Sequence, residues 1–405
     1  MTDPAASDSP QRFPIGTRQS PIGNHSGNPL AWALYLGMSW TWIIGMYLPV
    51  LLVRDYGLTA WIIFAIPNCL GAAAMGWVMR SRRASVDLTT QHALACRIFS
   101  LVTIAFHLFV VTWKLPQLVG NIAWITPIVL VQIAFTPMLR KRGALLSCLV
   151  VFLISASIAI ALWTTGALEL PKVQTAGLGD LLGLSFVCTV GFLLCPYLDL
   201  TFHRARQSTT DSGARIAFGV GFCFFFASMI VLTLFYARGI NTLAVQSVAA
   251  WLIYVHISVQ AILTVALHSA VAYDQAEAGD DVATYRSALG CALGVGLAGA
   301  MLAYFFNSHG VTYAGFDDFG EIVYRLFLSF YGLIAPAYAL TSFRQKRPNW
   351  RWTAIAIGLA MPFYWIAFIE RHMAWALVGG ALLMLSGVVA SRRRTSPSLL
   401  PSRQK

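Results

Sequence analysis

The chain has 405 residues, of which 58% are hydrophobic and only 11% charged, and its mean hydropathy is +0.67. Soluble domains carry about a quarter charged residues, so composition excludes one; the absence of alternating segments of ~10 residues excludes a transmembrane β-barrel. The net charge of +12 is not a nucleic-acid patch, because the cations cluster in short connections between apolar runs.

The long apolar runs predict an all-α polytopic membrane protein. Residues 1–29, rich in Ser, Pro, Gly and Asp, read as a disordered cytoplasmic tail. They are not a signal peptide, since the first apolar run starts late and lacks a small-residue cleavage site. Twelve spans are expected at 30–53, 58–79, 94–113, 118–139, 143–164, 178–202, 214–237, 244–272, 287–306, 321–343, 351–369 and 373–391. Of the 28 Lys and Arg, only Arg54, Lys114, Lys172, Arg238 and Arg371 fall in the odd-numbered connections, and, with Arg97, Arg215 and Arg351 at span ends counted with the even-numbered connections, only Arg325 lies within a span. The remainder fall in the tails and the even-numbered connections. This asymmetry places both termini in the cytoplasm, most simply of a bacterial inner membrane.

Spans 1 and 6 each carry their own interruption. Gly45 and Pro49 sit near the middle of the first, Gly191 and Pro196 near the middle of the sixth. Proline removes a backbone donor and glycine tolerates the angles that follow. Span 1 runs outward and span 6 inward, so five spans repeated in opposite orientation form a five-plus-five inverted repeat. The repeats are 30–164 and 178–343, with 351–391 as two accessory helices and 392–405 as a basic cytoplasmic tail. Pro127, Pro137, Pro336 and Pro362 show that other spans carry proline too, so the alternative is that Gly and Pro serve as packing residues or simple kinks.

On GMYLPVLL in span 1, FAIPNCLGAAAMG (Phe64–Gly76) in span 2 and GFLLCPYLD in span 6, the chain resembles the amino acid–polyamine–organocation superfamily of secondary transporters with the leucine-transporter fold. The resemblance implies that interrupted spans 1 and 6 enclose the solute and that spans 3 and 8 complete the site. Members that use sodium often carry neighbouring hydroxyl residues on span 8; here Thr264 and Ser269 are not adjacent, a departure that bears on sodium coupling.

Span 8 is the most polar at mid-membrane depth. His256, Gln260, Thr264 and His268, spaced by four, share one helical face that must look at protein or a water-filled cavity. They either line a solute or proton pathway, with Ser269 beside them, or hydrogen-bond neighbouring helices. Asp199, just after the span 6 interruption, either binds a cation, a proton or a cationic group of the solute, or pairs with His203 or Arg204. Trp40, Trp42 and Tyr47 flank the span 1 interruption and can wall a pocket together with Gly45 and Gly191. Asn68 and Gly71 suggest close helix contact, His107 is a lone polar group satisfied structurally, and Glu321 and Arg325 form an i, i+4 pair. The seven cysteines all fall in or beside apolar spans and read as packing residues, with no disulfide framework or metal spacing.

Neither a Walker loop, HExxH nor GxSxG occurs, no cofactor or metal is expected beyond sodium or a proton as coupling ion, and the chain is not read as an enzyme. The expectation is a secondary active transporter, a symporter-like permease moving a small polar or zwitterionic solute such as an amino acid by alternating access. Its partners are that solute and the lipid bilayer, with no nucleic acid; the oligomeric state stays open. The alternatives are a major-facilitator-type permease and an intramembrane lipid-modifying enzyme using His256 or His268 as base.

Overall fold

The computed structural model describes residues 27–137, 139, 142–164, 176–237 and 245–392. Apart from 27–29 and Arg392, the expected tails lie outside the described residues. Those described are almost entirely helical, and the one extended pairing among them is an isolated bridge between Tyr313 and Phe316. Ten stretches are long and apolar enough to cross a membrane, and an eleventh if one bent helix pair counts as a single span. Many large apolar side chains, such as Ile66, Leu70, Ile128, Ile160 and Met301, are exposed. A surface of that kind suits lipid and would be an aggregation hazard in water. The protein is an integral, multi-pass membrane protein.

The bent pair is α1 (Pro29–Ser39) and α2 (Ile43–Tyr56), which meet at 55°. Next come α3 (Leu58–Val78) and a short helix that sequence reading missed, α4 (Arg82–Gln91), whose N-cap Ser81 accepts from Ala84 N at 3.1 Å. The expected third and fourth spans belong to one apolar stretch, Ala93–Phe135. Its first helix α5 (Ala93–Val119) gives way at Gly120, where φ is +71°, to a 3-10 turn and then α6 (Ile125–Phe135). Then follow α7 (Arg142–Thr164), α8 (Leu178–Leu194), a 3-10 turn over Cys195–Leu198, and α9 (Leu200–Gln207).

The chain continues through α10 (Asp211–Val220), a π turn at Gly221–Phe226 and α11 (Ala227–Leu232). The long helices α12 (Val248–Ala278) and α13 (Val282–Ser308) come next. They lead to α14 (Phe319–Ser329), a second π turn at Phe330–Ile334 and α15 (Ala335–Ser342). Helices α16 (Trp350–Phe368) and α17 (Trp375–Arg392) close the chain as a packed pair. Small residues set the tightest crossings: a Cβ at Gly71 in α3 would lie 2.8 Å from the Phe192 carbonyl in α8, and one at Gly296 in α13 would lie 2.5 Å from the Ala105 oxygen in α5. Between apolar helices in lipid, such backbone approach takes the place of a hydrophobic driving force.

Candidate functional site: two helix breaks around a buried carboxylate

The first break falls at Trp40–Trp42, upstream of the expected position at Gly45. Pro49 lies inside the continuous helix α2. The bond it forfeits is the one to the Gly45 carbonyl, and the Phe226 ring packs against the place where a Gly45 side chain would stand. At the true break, side chains replace the lost backbone bonds, as buried backbone requires. The Trp42 indole donates to the Ser39 carbonyl, the Thr41 hydroxyl to Gly37 O (2.8 Å), and Ile43 N to His107 Nε2 (3.3 Å). His107 is therefore the cap of a half-helix, fixed in turn by its Nδ1 on Thr103 O at 2.7 Å.

The second break lies at Cys195–Asp199, at the expected Pro196 but downstream of Gly191, which stays within α8. Pro196 is accommodated in the 3-10 turn, and Asp199 caps α9: its Oδ1 accepts from Thr201 N and from the Thr201 hydroxyl, both at 2.7 Å. An Asp followed by a Thr two residues later is the signal that could have placed this break, because a capping carboxylate takes the free N–H groups of a helix start.

The two breaks converge. Thr201 Oγ1 lies 3.3 Å from Ser39 Oγ, and Trp40 packs on Phe202 at 4.8 Å between ring centroids. From α12, His268 reaches into the same place: its Nε2 lies 3.9 Å from Asp199 Oδ2, and Trp42 meets its ring edge-on at 5.3 Å. The far side of the imidazole is held by Ser100 of α5, 3.2 Å from Nδ1. Asp199 and His268 are both fully buried, and neither Oδ2 nor Nε2 has a hydrogen-bond partner. The alternative pairing of Asp199 with His203 or Arg204 does not form. His203 bonds Ser85 Oγ (2.7 Å) and Tyr197 O (3.0 Å), and Arg204 turns toward Asp274 at 3.9 Å.

The rest of the span 8 stripe is buried among protein. His256 Nδ1 lies 3.0 Å from Ser155 Oγ of α7, and Gln260 Nε2 lies 3.2 Å from the same hydroxyl. The Thr264 hydroxyl, His256 Nε2 and Gln260 Oε1 lack partners. Ser269 turns away, donating to Ala134 O at 2.6 Å.

On the other side of Trp40 and Trp42 is a cavity of about 80 Å³, walled by the first break with Ile44 and Gly45, by Gly191 and Cys195, and by Tyr331 of the second π turn. Asn68 joins the wall and takes the Trp40 indole N–H at 2.7 Å. Spans 3 and 8 do not line this cavity, contrary to what the resemblance implies; α3, α14 and α16 do, through Asn68, Arg325, Leu328 and Phe368. Tyr47 is also misplaced by sequence reading. It points into an aromatic cluster with Trp113 and Tyr324, at 5.9 and 5.2 Å.

One end of the cavity is bridged by charge. Arg54 holds Glu321 through two bonds of 2.6 and 2.7 Å, Arg325 bonds the same carboxylate at 2.8 and 3.0 Å and also Asp55, and Arg325 Nη1 donates to the Phe368 carbonyl. The Glu321–Arg325 pair was legible from its spacing; its two partners on α2 were not. All seven cysteines are free thiols, with Cys188 and Cys195 on the cavity wall and Cys223 and Cys291 exposed. Among the described residues no cluster of His, Cys, Asp or Glu is arranged to hold a metal ion. No known protein family matches the chain, and no curated protein does either.

Proposed function

We propose that this protein is a secondary transporter that moves a small solute by alternating access, with the two broken helices as its working parts. The observation that carries the reading is the convergence of the breaks on one buried locus, where Asp199 of the second meets His268 of α12 beside Trp42 of the first. A helix broken at membrane depth must be buried in protein or line a cavity, because each freed backbone group must be satisfied, and paired breaks of this kind mark the solute site of transporters.

Twelve spans follow if Ala93–Phe135 is two passes turned at Gly120. At 43 residues it is about 65 Å of helix, roughly twice a bilayer's ~30 Å core. Spans 1–5 and 6–10 are then inverted repeats, α16 and α17 are the accessory pair, and α4 lies on the cytoplasmic side with both termini. The likeness to the amino acid–polyamine–organocation superfamily is kept as part of this proposal.

The cavity favours a solute with an apolar body and one polar end, as in a neutral amino acid. Its wall is apolar apart from Asn68 and Arg325, and it includes Ile44 and Gly45 in the first turn of α2, where free N–H groups favour a carboxylate. At about 80 Å³ it is roughly half the ~150 Å³ that admits benzene in an engineered protein core. Solute entry therefore requires the site to widen, and the Arg54–Glu321 bridge is the contact to break on the outward side. Against the lipid-modifying alternative, His256 and His268 are both fully buried, where no lipid headgroup reaches.

The test is uptake of a radiolabelled amino-acid mixture into proteoliposomes. Saturable accumulation, lost when Val187→Phe fills the cavity, supports transport. Absence of uptake together with turnover of the liposome lipid would move the protein to the enzyme class.

A further inference from the structure

The Asp199–His268 pair lies outside the cavity wall and has a chemistry of its own. Burying a carboxylate costs several kcal/mol unless it is paired or neutralised. Asp199 has one oxygen fully used by Thr201 and the other facing an imidazole nitrogen across 3.9 Å, too far for a hydrogen bond. Two unpartnered polar atoms, each with no solvent exposure, thus face one another.

The ligand chemistry separates the candidates. A hard metal cation takes a shell of about six oxygens. Here one carboxylate oxygen is left over, the Thr201 hydroxyl is committed to Asp199 Oδ1, and the Ser39 hydroxyl donates to Leu36 O at 3.1 Å. The atom opposite is a nitrogen. A proton needs only those two atoms, and a charge-assisted N–H···O bond between them is about 2.7–2.9 Å long. Binding one would draw α12 toward the start of α9 by about 1 Å, so loading is geared to the second break.

The surroundings leave the pair to itself. The other titratable groups that face it are Tyr35 from α1, Cys96 and His107 from α5, Cys195 from the turn before Asp199, and Tyr331 from the second π turn. On α9 itself, His203 is turned to Ser85 and Tyr197. Among the described residues no Arg or Lys ion-pairs with Asp199; the nearest cation along the chain, Arg204, lies against Asp274. Among the described residues, no fixed positive charge is paired with the carboxylate in competition with a proton.

We propose that Asp199 and His268 form a one-proton site, and that the ion coupled to transport is the proton and not sodium. This rests on the transporter reading for its purpose but not for its chemistry, so the two can fail separately.

The test is a proton-uptake titration of the purified full chain in detergent from about pH 8 to 5, the range in which histidine changes charge, run with choline or with sodium chloride. Wild type should take up about one proton per chain more than Asp199→Asn, identically in both salts, and His268→Gln should take up that proton at lower pH. Equal uptake by wild type and Asp199→Asn overturns the proposal, as does sodium displacing a proton that Asp199→Asn lacks. Should Asp199→Asn prove aggregated, His268→Gln decides: a curve superimposable on wild type overturns the proposal. In proteoliposomes containing a trapped pH dye, the same amino-acid mixture should carry protons inward. A positive titration with no amino-acid entry leaves the proton site standing and removes the transport reading instead.

Discussion

Arg54 and Glu321, 267 residues apart in sequence, grip each other through two parallel hydrogen bonds of 2.6 and 2.7 Å. They join the end of α2 to the beginning of α14, and Asp55 with Arg325 crosses the same junction. The Asp55, Glu321 and Arg325 side chains are at most 8% exposed, whereas Arg54 is 39% exposed. Removing one member of a buried ion pair leaves its partners uncompensated, at ~3–5 kcal/mol. Arg325→Met leaves two carboxylates with one half-exposed arginine and should fall within that range in denaturant unfolding. A loss below about 1 kcal/mol, typical of surface pairs, would show that water reaches the network.

If that junction is the outward closure, weakening it should expose the cavity. Cys188 and Cys195 line the wall and are natural reporters. Glu321→Gln should raise several-fold the rate at which a membrane-impermeant thiol reagent added outside labels them. Replacing both cysteines by Ser should abolish the added signal. An unchanged rate in Glu321→Gln would place the closure elsewhere.

The Trp40–Asn68 hydrogen bond, 2.7 Å and fully buried, ties the first break to α3. Trp40→Phe strands the Asn68 oxygen and Asn68→Leu strands the indole N–H, each at about 1–3 kcal/mol. The double variant strands neither. Its cost should fall below the sum of the two, as a double-mutant cycle on thermal or denaturant stability would register; additivity would mean that the bond contributes nothing.

Membrane helices were legible because apolar length is a strong signal: α3, α7, α16 and α17 start and end within about three residues of expectation. The interruptions were legible in kind but only partly in place. Sequence reading placed them at Gly45 and Pro49 and at Gly191 and Pro196; the chain unwinds at Trp40–Trp42, upstream of the first pair, and at Cys195–Asp199, which holds Pro196 but not Gly191. What fixes a break is the supply of side chains that satisfy freed backbone groups: Trp42 does so locally, on Ser39 O, but His107 does so from 64 residues away. Asp199 and His268 were each visible as buried polar residues, but their facing was not, since it depends on how α9 packs on α12. Helix α4 was missed because its polar composition hides it among loops. The two π turns leave no simple sequence mark.

His92 lies outside the spans, between α4 and α5, 2% exposed and with Nδ1 2.8 Å from the Tyr338 hydroxyl. Burial pushes its pKa below the usual histidine value. A folded-state pKa below the unfolded one means that the unfolded chain binds the proton first. His92 therefore costs nothing above the unfolded value of ~6.5 and destabilises the fold as pH falls below it. Between about pH 7.5 and 5.5, bracketing that value, the melting temperature of wild type should drop more than that of His92→Gln. Parallel drops would show that His92 is solvated in the folded state.

The most direct measurement is the time course of amino-acid uptake into proteoliposomes under an imposed proton gradient, with Asp199→Asn beside wild type. The account predicts accumulation above equilibrium in wild type that follows the proton gradient and ignores sodium, and none in the Asp199 variant. Uptake that proceeds undiminished in Asp199→Asn, or no uptake by wild type of any solute offered, would contradict it.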